Sequence, residues 1–252
     1  MDKNELLTVT AEIGSLLIEY GAEIYRVEDS INRIIAAYNA GEPEVFAIPS
    51  CLIITINDEN GCPLTRQKRI LHRAPNLDRV DKLNNLSRFI CSQKPDYEQI
   101  TTFIGQIKKR RVYPLPVQLL SHATVGATFA VFFGGGLREA ITAAVLSVFA
   151  NLVLYAIQKE HSGIFLESVM CSVLVAVPAV LIAATGFTDG YDAVIIGSLM
   201  NFVPGIVLTN CMRDFIAGDF LAGLLTMVEA LLVAAGMAIG AAAAIALTTA
   251  IV

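Results

Sequence analysis

LMNFVPGIVLTNCMRDFIAGD, residues 199–219, decides how the second half of this chain is read. It is apolar enough for a helix in lipid. Yet Pro204-Gly205 interrupts it, Asn201 and Asn210 flank the interruption, and Arg213-Asp214 closes it. An interior proline removes a backbone donor and frees the carbonyl about a turn earlier, at a cost of about 3 kcal/mol in a soluble helix. In hydrocarbon the freed groups need protein or a water-filled cavity. Discontinuous helices of this kind build substrate sites in transporters, where half-helix N-termini favour anionic groups and unwound carbonyls favour cations. Asn201, Pro204, Gly205, Asn210, Arg213 and Asp214 are therefore candidate substrate residues. Both amides can donate and accept toward a zwitterion or carboxylate, and Arg213 is the cation near the end of the span. The alternative is a simple proline kink, which membrane helices tolerate.

The rest of the composition supports a chain that meets two solvents. Of the 252 residues 55% are hydrophobic and 16% charged, with a mean hydropathy of +0.61. Soluble domains carry about 25% charged residues. Fifteen of the 18 Lys and Arg and 15 of the 23 acids precede residue 115, so that part is net neutral. The remainder holds three cations against eight acids, net −5. Water suits the first part and lipid the second. The opening MDKNELLTVT lacks a basic flank before an apolar core, so no secretory signal is expected. Five cysteines without CxxC spacing point to a reducing compartment with neither a disulfide frame nor a zinc site. No cofactor motif is present, and no metal is expected.

In residues 1–112, Leu6, Val9, Ile13, Leu16, Leu17 and Tyr20 recur at helical spacing, and Val27, Ile31, Ile34, Ile35 and Tyr38 repeat the pattern. EVFAI and CLIITI are rich in β-branched residues, the Asn57–Gly61 cluster reads as a turn, and LTRQKRILHR alternates like a strand. Two further helices follow. The expectation is an α+β cytoplasmic domain in the order ααβββαα. Within GAEIYRVEDSINRI, residues 21–34, Glu23 and Arg26 share a helix face and Glu28 follows. They read either as a surface ion pair or as a polar face that contacts the membrane part or a ligand.

Residues 113–252 are expected to form an all-α helical transmembrane bundle of about five membrane helices, at 115–136, 139–158, 164–186, 191–212 and 219–251. A bilayer core about 30 Å thick needs roughly 20 apolar residues per crossing. The last segment is too long for one simple span and either tilts, breaks near Gly236 or runs out of the bilayer. Lys108-Lys109-Arg110-Arg111 abuts the first span, which places the N-terminal part in the cytoplasm. Lys159 and Arg213 then fall inside, the 187–192 loop and the C-terminus outside, and Arg138 is the one exception. A carboxylate deep in a span costs at least about 2.5 kcal/mol unless protonated, hydrated or paired, which makes Glu229 a proton-coupling candidate. Glu167 and His122 are further candidates, Glu167 also able to snorkel and His122 also able to make an interhelical hydrogen bond. Asn151 is an intramembrane polar residue with the same two readings. Gly236-Met-Ala-Ile-Gly240 offers a small-residue face for close helix approach, within the chain or to a second subunit.

GAEIYRVEDSINRI, the following AIPSCLIIT, and GSLMNFVPGIVLTNCMRDFIAGDFLAG together resemble the threonine/serine exporter family, and more narrowly the larger subunit of its two-gene form. The resemblance implies a cytoplasmic N-terminal part, about five membrane helices in a bacterial inner membrane, and ion-driven export of small amino acids such as threonine and serine or related carboxylates, including dicarboxylates. It also implies a small separate membrane subunit as partner, and an oligomer. It places Glu23, Arg26 and Glu28 in one family motif and Pro204, Gly205, Asn210, Arg213 and Asp214 in another, without assigning them chemical roles. Three functions compete. One is a secondary exporter, with Glu229 exchanging a proton and the broken span holding substrate. Another is a membrane-anchored metabolite sensor or scaffold. The third is a membrane-anchored hydrolase, for which Ser50, Cys51 and His72 are present but no nucleophile elbow or metal motif is. The net-neutral N-terminal part excludes a nucleic-acid partner.

Overall fold

The computed structural model describes residues 1–58, 61–157 and 163–251. Among these, ten helices and one three-stranded sheet gather into two compact units. One unit comprises residues 1–111 with 206–228, the other 112–205 with 229–252.

In the first unit, α1 (Lys3–Glu19) starts in a capping box in which Asp2 and Glu5 bond each other's backbone N–H. The chain continues through α2 (Ile24–Ala37), β1 (Glu44–Ile48), β2 (Cys51–Asn57), β3 (Pro63–Arg69), α3 (Leu77–Gln93) and α4 (Tyr97–Lys108). The strands form an antiparallel β1-β2-β3 meander, Ile48 opposite Cys51 across the Pro49-Ser50 turn. On β2, Leu52, Ile54 and Ile56 alternate into the core, the period expected of a sheet with one covered face. α1 covers that face, and Gly14 sets the closeness. A Cβ there would sit 2.7 Å from Leu52 and 2.8 Å from Ile31. Two more helices complete the unit, α9 (Gly205–Ala217) from Ile206 onward and the first turns of α10 (Phe220–Thr249). Ala222 of α10 is fully buried in the same apolar core as Leu6, Ile31 and Leu52.

In the second unit, α5 (Leu115–Phe132) packs on α6 (Leu137–Ile157) and α8 (Asp192–Leu199), and α6 packs on α7 (Ile164–Ala184). Glycines bring these helices together backbone to backbone. A Cβ on Gly197 of α8 would lie 2.7 Å from both the Ala130 nitrogen and the Gly126 carbonyl oxygen of α5. The expected Gly236–Gly240 face is used within the chain: added Cβ atoms would meet the Phe165 carbonyl of α7 at 2.8 Å and the Val169 carbonyl at 2.5 Å.

The expected α+β domain followed by a five-helix bundle is corrected on two counts. About 70% of the described residues are helical, and the short three-stranded sheet belongs to a unit that also includes residues 206–228. Three short strands announce themselves by periodicity as strongly as helices do, but with one covered face they make only part of a core. Second, four helices among the described residues are long and apolar enough to cross a membrane: Leu115–Phe132, Leu137–Ala156, Ile164–Ala184 and Phe220–Thr249. The expected 191–212 span is divided into α8 and α9 by non-helical residues 200–204. Average apolarity does not register a missing backbone donor, and Pro204 supplies that break. The segment that looked too long for one span is one uninterrupted helix of 30 residues. The Lys159–Ser162 end of the second expected span, and Glu59-Asn60 of the expected turn, lie outside the described residues.

Candidate functional site

Two polar constellations form, one in each unit. In the first, Glu23 occupies the N-cap position of α2 but makes no side-chain cap hydrogen bond. Asp214, on α9 and 190 residues beyond Ile24, does so instead. Its Oδ1 accepts the N–H of Ile24 at 3.0 Å and lies 3.4 Å from the N–H of Tyr25. The exposed N–H groups and dipole of a helix start favour such a carboxylate. Next to it, Arg213 Nη1 donates to Glu23 Oε1 at 2.5 Å and Arg26 Nη1 to Glu23 Oε2 at 3.1 Å. Asn210 Nδ2 donates to the Gly21 carbonyl at 2.9 Å. Gly21 has φ +85°, a conformation that favours glycine. Glu28 accepts the Ala47 N–H of β1 at 2.9 Å. The two motifs that the sequence shows far apart thus meet as one clasp.

Burial separates the titration of these acids. Asp214 is 1% exposed. Burial, reinforced by the charges of Asp219 and Glu23, pushes its carboxyl up to about 6 against the pull of the Tyr25 and Ile24 N–H groups. Burial also raises Glu28, aided by Asp219 and Asp214 and opposed by the Ala47 N–H. Burial works to raise Glu23 as well, but its own backbone N–H with Arg213 and Arg26 holds it below the usual carboxylate value.

In the second unit, a cavity of about 340 Å³ is lined by polar groups of Gln118, Asn151, Tyr155, Glu167 and Ser168, with Phe202 from the helix break among its apolar walls. His122 supports it. Asn151 Nδ2 lies 2.9 Å from His122 Nε2, and an amide nitrogen can only donate, so Nε2 accepts. Asn201 Nδ2 donates to the His122 carbonyl at 3.2 Å, and the Phe202 ring stacks on the imidazole with centroids 6.1 Å apart. His122, Asn151, Glu167 and Asn201 are therefore brought together in this unit beside the break at 200–204. Pro204 and Gly205 form the end of that break and line neither constellation. Glu229 is half-buried on α10 and does not line the cavity.

Pattern reading passed over three contributors. Glu139, 6% exposed, accepts the N–H of Gly136 at 2.9 Å and of Asp189 at 2.8 Å, joining the α5–α6 and α7–α8 turns. Its place three residues after Gly136, at a helix start, was the available signal. Asp219, after Gly218 and before α10, was readable as a cap in the same way. Phe202 carried no signal beyond its neighbour Pro204.

The family model described as "Putative threonine/serine exporter" matches residues 8–248. The chain belongs to the threonine/serine exporter family. This is a family of transporters rather than enzymes, and the four apolar helices make this member a multi-pass membrane protein. It is similar to "Probable threonine/serine exporter" of Mycobacterium tuberculosis (strain ATCC 25618 / H37Rv), 22% identical over 242 residues, covering 94% of this chain and 45% of the relative. It is also similar to "Threonine/serine exporter" of Corynebacterium glutamicum, 20% identical over 242 residues, covering 93% of this chain and 50% of the relative. This exporter-family chain spans about half the length of the curated relatives it matches. No solved structure matches it.

Proposed function

We propose that this chain is one part of a secondary exporter of small amino acids of the threonine and serine type. The observation that carries the reading is the cavity beside the 200–204 break, in a chain of this family. Among its described lining residues it has one carboxylate, Glu167, and no Lys or Arg. Glu167 receives a substrate ammonium group. Asn151 and Gln118 take the carboxylate, and the Tyr155 and Ser168 hydroxyls match a side-chain hydroxyl. A dicarboxylate brings two negative charges and nothing for Glu167 to hold, so a zwitterion suits the lining better. Export is coupled to protons, with Glu229 and His122 as carriers.

A small separate membrane subunit completes the transporter. The resemblance to the two-gene form supports it, as do the largely uncovered apolar surfaces of α5 and α10. The N-terminal part faces the cytoplasm of a bacterial inner membrane, because Lys108 to Arg111 directly precede the first span at Leu115.

The test is threonine efflux from proteoliposomes containing this chain with and without that subunit. Glu167→Gln is expected to raise KM for threonine about tenfold, the equivalent of about 1.4 kcal/mol. An unchanged KM removes Glu167 from the site. Glu229→Gln is expected to uncouple flux from the pH gradient. Threonine binding without flux in either preparation would instead favour a sensor.

A further inference from the structure

The groups that converge on Asp214 do not balance in charge. α2 brings Glu23, Arg26 and Glu28; α9 brings Arg213, Asp214 and the Cys211 thiol; the start of α10 brings Asp219. Both guanidinium groups are bonded to Glu23. The hydrogen bonds described for Asp214 and Glu28 come from backbone N–H groups alone. Asp219 has one carboxylate oxygen, Oδ2, that is buried without a hydrogen-bond partner. Four carboxylates against two cations leave an excess negative charge around a residue with 1% exposure. A proton is the smallest counter-charge such a cluster can take.

Asp214 is also where a change of charge would move backbone. It is the side chain that caps α2, and it stands on α9, the helix the chain enters directly after Pro204. We propose that Asp214 is a positioning residue and a proton-sensitive latch. Protonated, it sits uncharged in the cluster, holds the start of α2 and fixes α9. Ionised, it adds a buried negative charge beside Glu23, Glu28 and Asp219, and α9 is released. The raised carboxyl range of Asp214 places this exchange near neutrality. The latch is separate from the proton that Glu229 or His122 would carry, and it rests on the exporter reading only for its effect on flux.

The decisive measurement is hydrogen exchange of the Ile24 and Tyr25 amides in the full chain, corrected for the intrinsic pH dependence of exchange. Between about pH 7.5 and pH 5, protection is expected to rise about tenfold as the buried negative charge is removed. Asp214→Asn keeps an acceptor and cannot titrate, so its protection should be flat across that range. Asp219→Asn should move the wild-type midpoint to lower pH by removing a neighbouring negative charge. A wild-type profile without a step, a step that survives Asp214→Asn, or a midpoint unmoved by Asp219→Asn overturns the latch. In proteoliposomes with the partner subunit, Asp214→Asn should remove the step in threonine efflux that shares the midpoint of the exchange step, while flux still responds to an imposed pH gradient. Absence of efflux in the wild type, with the exchange step intact, refutes the exporter reading and leaves the latch standing.

Discussion

At the residue scale, Asp214 stabilises one helix start at the expense of keeping a charge out of water. Because its carboxyl is raised to about 6, the folded state holds a proton that the unfolded chain has already released between about pH 4 and pH 6. Its contribution is therefore most favourable below the unfolded value and is lost as pH rises through about 6. Asp214→Asn keeps a capping oxygen and removes the charge. It is expected to raise thermal stability in detergent at about pH 7.5 by the equivalent of 1–3 kcal/mol, and to give little gain at about pH 4. A lower melting temperature at neutral pH would contradict the assignment. The i,i+3 relation of Glu23 and Arg26 was legible in the sequence, and that pair forms. Glu23's second partner, Arg213, was not, because spacing along one helix says nothing about a residue 190 positions away. The same limit made Asp214 read as the end of a span rather than as the cap of α2.

At the scale of elements, the Pro204 interruption is a true break, and the Asn201 side chain donates to the His122 carbonyl beside it. Pro204→Ala restores a backbone donor and a helix-permissive residue. It is expected to lengthen α8 or α9 into 200–204, displace Phe202 from the cavity wall, and lower threonine efflux with little loss of stability. Normal efflux from a variant whose exchange profile shows a continuous helix would separate the break from transport. The contact of α8 with α5 leaves no room for a methyl group at Gly197. Gly197→Ala should destabilise the second unit by about 1–3 kcal/mol, read as a lower melting temperature with the N-terminal unit's exchange protection preserved. Long apolar periodic segments were legible because burial in lipid or in a core imposes them. Helix-to-helix registry was not, since Gly126 and Gly197 acquire meaning only from the backbone opposite each of them.

At the scale of the whole molecule, basic residues and apolar length act together. Lys108, Lys109, Arg110 and Arg111 precede α5 and are the densest positive run in the chain. Replacing all four with Gln should give a mixed orientation in the membrane, detected by labelling a single cysteine placed near the N-terminus from either side. An unchanged labelling pattern would show that other residues set orientation. The reach of Asp214 back to α2 has a consequence for biogenesis. A ribosome releases residues 1–111 well before it has made Asp214 or Ala222, so the earliest segment waits, incompletely capped and with a gap in its apolar interior, until α9 and the head of α10 emerge. The earliest-made unit therefore reaches its full set of contacts only once residues 206–228 have been synthesised.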